Sequence, residues 1–253
     1  MDSKSNINPW IIMQARVRST RLPAKILKKI LGRTVLEHDI ERCLRIKRAK
    51  GLVIATTVKP EDREIIRISE LYPSNLVKYF RGSVEDVLSR YYLSAKQVKA
   101  DIIIRITSDC PLLDASLVDA MIMLFENLPR KKPSYDYVCN IMPRTFPHGL
   151  DTEIFSFEAL EKAFKEATLA EEREHVTPYI RNHPEIFHIN NFSQEENQSH
   201  LRWTLDYPED FEFIKAVYDR LYPHNPEFNR FDVLSLLEKH PEINSLNQSR
   251  RQG

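Results

Sequence analysis

Short apolar runs alternate with amphipathic stretches through the first half of the chain. Trp10-Ile11-Ile12-Met13, Leu52 to Thr57 and Ile102 to Ile106 are each too short for an ordinary helix. Their β-branched content suits strands buried on both faces, as in a parallel sheet. Val77 to Phe80 reads as another strand, ending at Arg81-Gly82. Between these runs the apolar spacing changes to three and four. Val35, Leu36, Ile40, Cys43 and Leu44 mark one helical face, and Pro60-Glu61-Asp62 opens a second helix with acids in its first turn. Ser83-Val84-Glu85-Asp86 has the form of a capping box with Asp in the Glu position. A stripe through Val84, Val87, Leu88, Tyr91, Tyr92, Ala95 and Val98 follows, and it reads as core rather than as a stacking platform. The alternation predicts an α/β fold with a mostly parallel sheet and crossover helices.

After Pro133 the pattern loosens. Tyr135 to Cys139 and Leu150 to Phe155 read as half-buried strands joined by an irregular Pro/Gly connection. Phe157 to Leu169 reads as a helix, and the acidic segment Glu171 to His175 leads into another, broken at Pro178. Phe187 to Phe192 and Leu201 to Leu205 read as further strands, and the residues from Leu246 onward as a frayed polar end.

The chemistry gathers at three places. The apolar run at 102–106 stops at Thr107-Ser108-Asp109-Cys110-Pro111, so Asp109 sits just past the carboxyl end of a central strand. Open α/β sheets bind ligands in that crevice. Taken alone, Asp109 reads equally well as a turn residue bonded to its own backbone, and Asp114 suits a helix N-cap. Asp206 repeats the arrangement, an aspartate at a strand end before a helix. The third place is the first loop, Gln14 to Lys25, with four cations (Arg16, Arg18, Arg21, Lys25) and no carboxylate. A nucleoside triphosphate brings about four negative charges, which Arg and Lys meet with charge-assisted hydrogen bonds. Ser19 and Thr20 add hydroxyl donors. A solvated basic turn has the same composition, but the position after a buried first strand favours an anion site.

Composition narrows the classes. The 253 residues can bury a real core as one large α/β domain or two small ones. Lys and Arg total 37 against 36 Asp and Glu, so no net field favours nucleic acid or a membrane. No signal-peptide pattern and no apolar run of about 20 residues stand out. Three Cys without CxxC spacing point to neither disulfides nor zinc, and a reduced, cytoplasmic protein is the expectation. Five Gly allow neither GxGxxG nor GxxxxGKS/T, which argues against a Rossmann dehydrogenase and a P-loop NTPase.

Seven segments, QARVRSTRLPAKIL, IATTVKPEDREI, FRGSVEDVLSRYY, RITSDCPLLD, FPHGLDTEIFS, EREHVTPYI and LRWTLDYPEDF, carry a family likeness. Together they resemble the SpsF-like spore-coat polysaccharide proteins of the cytidylyltransferase superfamily, which includes the synthetases that activate Kdo and sialic acid with CMP. The resemblance implies a three-layer nucleotide-diphospho-sugar transferase (GT-A/Rossmann-like) fold. We expect a single domain over 1–253, with a nucleotide-binding half at 9–130 and an acceptor or dimer half at 131–245. The implied reaction is attack by an acceptor oxygen on the α-phosphate of CTP, with release of pyrophosphate. Asp109 and Asp206 would be the Mg²⁺ carboxylates, and Arg16, Arg21 and Lys25 would grip the triphosphate with Ser19 or Thr20. Lys25, Arg16, Asp109 and Asp206 thus form the implied catalytic set. Gln14, Ser83 and Asp86 would face the nucleotide, and Asp151, Glu153, Glu174 and His175 would build the acceptor side. The implied partners are CTP and a sugar or sugar-acid acceptor, with no nucleic acid or membrane and with a homodimer allowed.

Two departures stand in the first loop, where the family usually has glycine and this chain has Arg18 and Ala24. Glycine lets a backbone close on phosphate and adopt positive φ. Three alternatives stay open: a metal-dependent glycosyltransferase of the same fold, a sugar-phosphate nucleotidyltransferase using UTP or dTTP, which usually carries the glycine-rich first loop missing here, and a non-catalytic nucleotide-binding subunit. The first usually shows Asp-x-Asp, whereas Thr107 stands two before Asp109.

Overall fold

In the computed structural model, which describes residues 7–129 and 133–250, the first apolar run forms strand β1 (Pro9–Gln14). A hairpin follows, β2 (Lys29–Ile30) and β3 (Arg33–Thr34), and then helix α1 (Val35–Leu44), which starts in a Thr34/Glu37 capping box. The next units are β4 (Leu52–Thr57), α2 (Arg63–Ser69), β5 (Val77–Gly82), α3 (Val87–Val98), β6 (Ile102–Thr107) and α4 (Ala115–Glu126). Asp114 caps α4 by accepting from the Leu117 N–H at 3.0 Å. Then come β7 (Asp136–Cys139), β8 (Glu153–Ser156), α5 (Phe157–Glu166), α6 (Ala170–His175), α7 (Pro178–Asn182) and β9 (His188–Asn191). The chain closes with α8 (Pro208–Leu221), α9 (Arg230–Lys239) and α10 (Pro241–Ser245).

Among the described residues, seven strands form one sheet in the order β5-β4-β1-β6-β8-β7-β9. The pairs β5·β4, β4·β1, β1·β6 and β7·β9 are parallel, and β8 runs antiparallel to both neighbours. The twofold alternation of strand side chains sorts the core into two layers. Ile11, Met13, Ile54, Ile104 and Ile106 face the layer of α1, α2, α4 and α8 to α10. Trp10, Ile12, Val53, Ala55 and Ile103 face α3, α5 and α7. Helices therefore cover both faces, which is why these strands read as continuous apolar runs. The expected division near residue 130 falls outside the described residues.

Four local expectations are corrected. Helix α3 begins at Val87 rather than at Val84, because Asp86 is its N-cap and accepts from the Ser89 N–H at 2.9 Å. Strands β7 and β8 are buried throughout, not half-buried, since β8 is sandwiched inside the sheet. The Leu201–Leu205 run is extended but joins no strand. Its backbone bonds go to His148 and to the Asp109 carbonyl, with an isolated bridge between His148 and Arg202. The C-terminal stretch is docked rather than frayed. Asn247 is fully buried, and its amide donates to the Arg202 carbonyl and to Asp210.

Candidate active site

Strand β1 has β4 on one side and β6 on the other, so its carboxyl end is a topological switch point. A cleft of about 830 Å³ opens there. The loop after β1, the end of β6, the start of α3, the end of α6 and Asp206 line it.

The first loop is anchored by Asp62. Placed at a helix start as the sequence suggests, this acid is nonetheless buried, and it accepts from the Val17 N–H at 2.7 Å and from the Thr57 hydroxyl. Ser19 Oγ accepts from the Leu22 N–H at 3.4 Å and turns the chain. Ala24 then takes the left-handed conformation, φ 52 and ψ 33. That region costs an L-residue roughly 1 kcal/mol, so the family's glycine at this position has a backbone reason. Arg18 has no positive φ, and its departure from glycine carries no such strain.

Lys25 turns inward from this bend. Its ammonium lies 3.0 Å from Asp109 Oδ2, 3.0 Å from Asp206 Oδ1 and 2.8 Å from the Leu205 carbonyl. Arg21 reaches the same Asp206 oxygen at 2.7 Å. Burial opposes the charge on Lys25, yet the two aspartates hold its pKa above the ordinary value. Burial likewise lifts the Asp109 carboxyl, but Lys25 and Thr107 outweigh it and keep the pKa below the ordinary value.

The segment bearing Asp206 is fixed from three sides. Wholly buried Asp210 receives Nε and Nη2 of Arg202, each at 2.9 Å, and accepts from the Asp206 and Tyr207 N–H groups at 3.0 Å. It thereby satisfies the start of α8. The Leu205 N–H donates to the Asp109 carbonyl at 2.8 Å and the Thr204 hydroxyl to the same oxygen at 3.1 Å, tying the two aspartate segments together. Gly149, at φ +111, presses against the segment from behind. A Cβ there would lie 2.5 Å from Thr204 N.

Two carboxylates thus converge on one cation position, now held by an ammonium. Two hard carboxylate oxygens aimed at a single positive centre have the donor chemistry that a divalent cation takes. Among the described residues no group of three or more His, Cys, Asp or Glu could hold a metal by itself.

The other expected residues divide. Gln14, Arg16, Ser19, Thr20, Glu174 and His175 line the cleft. Asp86 lines it too, while capping α3 and receiving two guanidinium nitrogens of Arg173. Ser83 lies outside the lining and accepts from the Asp86 N–H at 3.0 Å. Asp151 and Glu153 are also outside it. Asp151 is paired with Arg144, and buried Glu153 accepts from Arg105, the Tyr137 hydroxyl and Thr177 Oγ1. A γ-turn at Val176, with φ 74 and ψ −52, links these layers. His175 is presented to the cleft on one side of it, and Thr177 bonds Glu153 on the other. Sequence reading passed over Arg90, Arg173, Arg202 and Asp210. Each stands inside a segment that carries the family likeness, but their partners are set only by the fold.

The profile of the cytidylyltransferase family matches residues 10–235. The chain belongs to the cytidylyltransferase family. It is therefore a nucleotidyltransferase. The spore coat polysaccharide biosynthesis protein SpsF of Bacillus subtilis is 31% identical to this cytidylyltransferase over 242 residues, 91% of this chain and 94% of SpsF. A solved cytidylyltransferase structure from Leptospira borgpetersenii serovar Hardjo-bovis superposes with a TM-score of 0.85 at 34% identity, covering 94% of this chain and 97% of that one. The structure of CMP:2-keto-3-deoxy-manno-octonic acid synthetase complexed with CTP shares the fold, with a TM-score of 0.60 at 17% identity over 84% of this chain and 99% of that one.

Proposed function

We propose that this cytidylyltransferase moves CMP from CTP to a hydroxyl of a sugar or sugar acid that is built into a cell-surface polysaccharide. The observation that carries the reading is the Lys25 ammonium poised 3.0 Å from both Asp109 and Asp206 at the inner end of a cationic loop. Lys25, Arg16 and Arg21 neutralise the β- and γ-phosphates. The acceptor oxygen bonds to the α-phosphorus while the α–β bridging bond breaks, the bridge oxygen keeping its electron pair in pyrophosphate. The acceptor proton passes to water. Chemistry of this kind is positioning and charge neutralisation, for which the pre-set cations and carboxylates are suited. Asp109 and Asp206 would hold Mg²⁺, which supplies further neutralisation of phosphate charge when bound. Glu174 and His175 would meet the acceptor directly. Asp151 and Glu153 would stand behind the acceptor side and hold the fold there, through Arg144 and through Arg105, Tyr137 and Thr177, without setting acceptor affinity. The names of SpsF and of the octonic acid synthetase support the acceptor class.

Pyrophosphate release tests the reading. It should require CTP, Mg²⁺ and a sugar-acid or sugar acceptor together, and Asp109→Asn should lower the rate roughly 100-fold or more, as loss of one preorganised electrostatic group does. Turnover of a nucleotide sugar without pyrophosphate would replace the reading with glycosyl transfer.

A further inference from the structure

Arg90 is the fourth residue of α3 and lines the cleft, yet it is only 2% exposed. Its Nε and Nη1 have no hydrogen-bond partner, and burial lowers its pKa. The loop cations differ. Arg16, Arg18 and Arg21 stand exposed, suited to phosphates that keep much of their water. A desolvated guanidinium without an acceptor is costly, and a ligand edge that brings acceptors removes that cost.

The surroundings say what kind of edge. The apolar residues lining the cleft are Ala15, Val84, Val87 and Ala170, and two of them flank the start of α3 close to Arg90 in the chain. Ala15 directly follows the neighbouring β1, against which α3 packs. Gly82 leaves room for the Arg90 stem, since a Cβ there would come 2.9 Å from Arg90 Cγ. Small aliphatic walls with one recessed, forked donor suit the flat ring of a heterocyclic base. They suit a hydrated triphosphate or a polyhydroxylated sugar less well.

We propose that the pyrimidine of the nucleotide seats against Ala15, Val84 and Val87, and that Arg90 reads its O2 and N3 atoms. This rests on the cytidylyl-transfer reading and adds to it the residue that selects the base. Cytosine presents O2 and N3 as adjacent acceptors, matching the parallel N–H groups of Nη1 and Nη2 at the end of the guanidinium, of which Nη1 is buried without a partner. Uracil carries a hydrogen on N3, so a donor there would face a donor.

Calorimetric titration with Mg²⁺ present tests this on the wild type and on Arg90→Lys, which keeps the charge and loses the fork. Wild-type protein should bind CTP about tenfold or more tighter than UTP, the scale of one charge-assisted hydrogen bond. Arg90→Lys should bring the two affinities within about threefold of each other and leave tripolyphosphate binding unchanged. On the wild type, 3-deaza-CTP, which has C–H in place of N3, should bind about tenfold weaker than CTP. That arm decides the matter without a mutation if the variant fails to fold. An undiminished CTP preference in folded Arg90→Lys, equal loss of CTP, UTP and tripolyphosphate, or full affinity for 3-deaza-CTP each overturns base reading and leaves cytidylyl transfer standing. Wild-type protein that binds no CTP refutes the transfer reading, and base reading with it.

Discussion

Replacing Lys25 with Met should destabilise the ligand-free protein and make its stability respond to Mg²⁺. Met keeps much of the volume and removes the ammonium that holds Asp109 and Asp206 together, each at 3.0 Å. Asp206 retains Arg21 at 2.7 Å and Arg202 at 3.5 Å, so the loss falls on Asp109, which among the described residues has Lys25 as its one ion-pair partner. Side-chain exposures of 13% for Lys25 and 29% for Asp109 leave modest screening. Stranding a largely buried charge costs about 3–5 kcal/mol, and partial access to water places this case near the lower end. For a chain of this size about 3 kcal/mol corresponds to a Tm lower by roughly 6–12 °C. Thermal melts in EDTA measure it. Millimolar Mg²⁺ should then recover part of the loss, about 2.7 kcal/mol if the ion reaches 100 times its Kd.

The pH dependence of the gap between wild type and variant follows from two shifts. Asp109 is held below its ordinary 3.8, so its contribution is full above that value and is lost as pH falls through the lowered pKa. Lys25 is held above its ordinary 10.5, so its contribution is full below that value and is lost as pH rises through the raised pKa. The gap should be flat from about pH 4 to about pH 10 and close on either side. A variant that melts with the wild type in EDTA would refute the clamp. A variant that melts low but ignores Mg²⁺ would refute the cation position.

Two further outcomes follow from packing. Gly149→Ala puts a Cβ 2.5 Å from Thr204 N at φ +111, so it should lower the Tm and, in protein that still folds, reduce the rate of pyrophosphate release by misplacing Asp206. Equal rate and Tm would show that the 149 loop does not support the site. Glu153→Gln leaves partly buried Arg105 without its carboxylate and should cost about 3 kcal/mol, the lower end for a broken buried pair, in a denaturant titration, with acceptor KM unchanged per folded molecule. A raised acceptor KM at unchanged stability would give Glu153 direct contact with the acceptor instead.

The central strands were legible because β1, β4 and β6 lie between two helical layers, and such strands must be apolar on both faces. Asp109 was legible for the same reason, since polarity returns where a buried strand ends. The strand reading of Leu201–Leu205 failed because its apolar residues pack in the core while its backbone bonds a loop and the Asp109 carbonyl. The helix start at Ser83 was placed three residues early because Ser83 and Asp86 both have capping chemistry, and Arg173, 87 residues away from Asp86, braces the second. Asp62 was legible only as a helix-start acid because its loop-anchoring partner, the Val17 N–H, lies 45 residues away, and the missing partners of Arg90 show only in the folded chain. No helix of the described residues is long and apolar enough to cross a membrane.

The docking of Asn247 has a consequence for how the protein is made and handled. Its amide bonds Asp210, 37 residues earlier, and Arg250 bonds Glu209 beside it. The scaffold beneath Asp206 is thus braced by chain that leaves the ribosome well after Asp206 has emerged. The parallel strands lie earlier in the chain than this brace, so the Asp206 segment gains its full support only after they have been made. Cloning choices inherit the same constraint. A change near residue 247 reaches the Asp206 segment through Arg202 and Asp210, far along the chain from the site it affects.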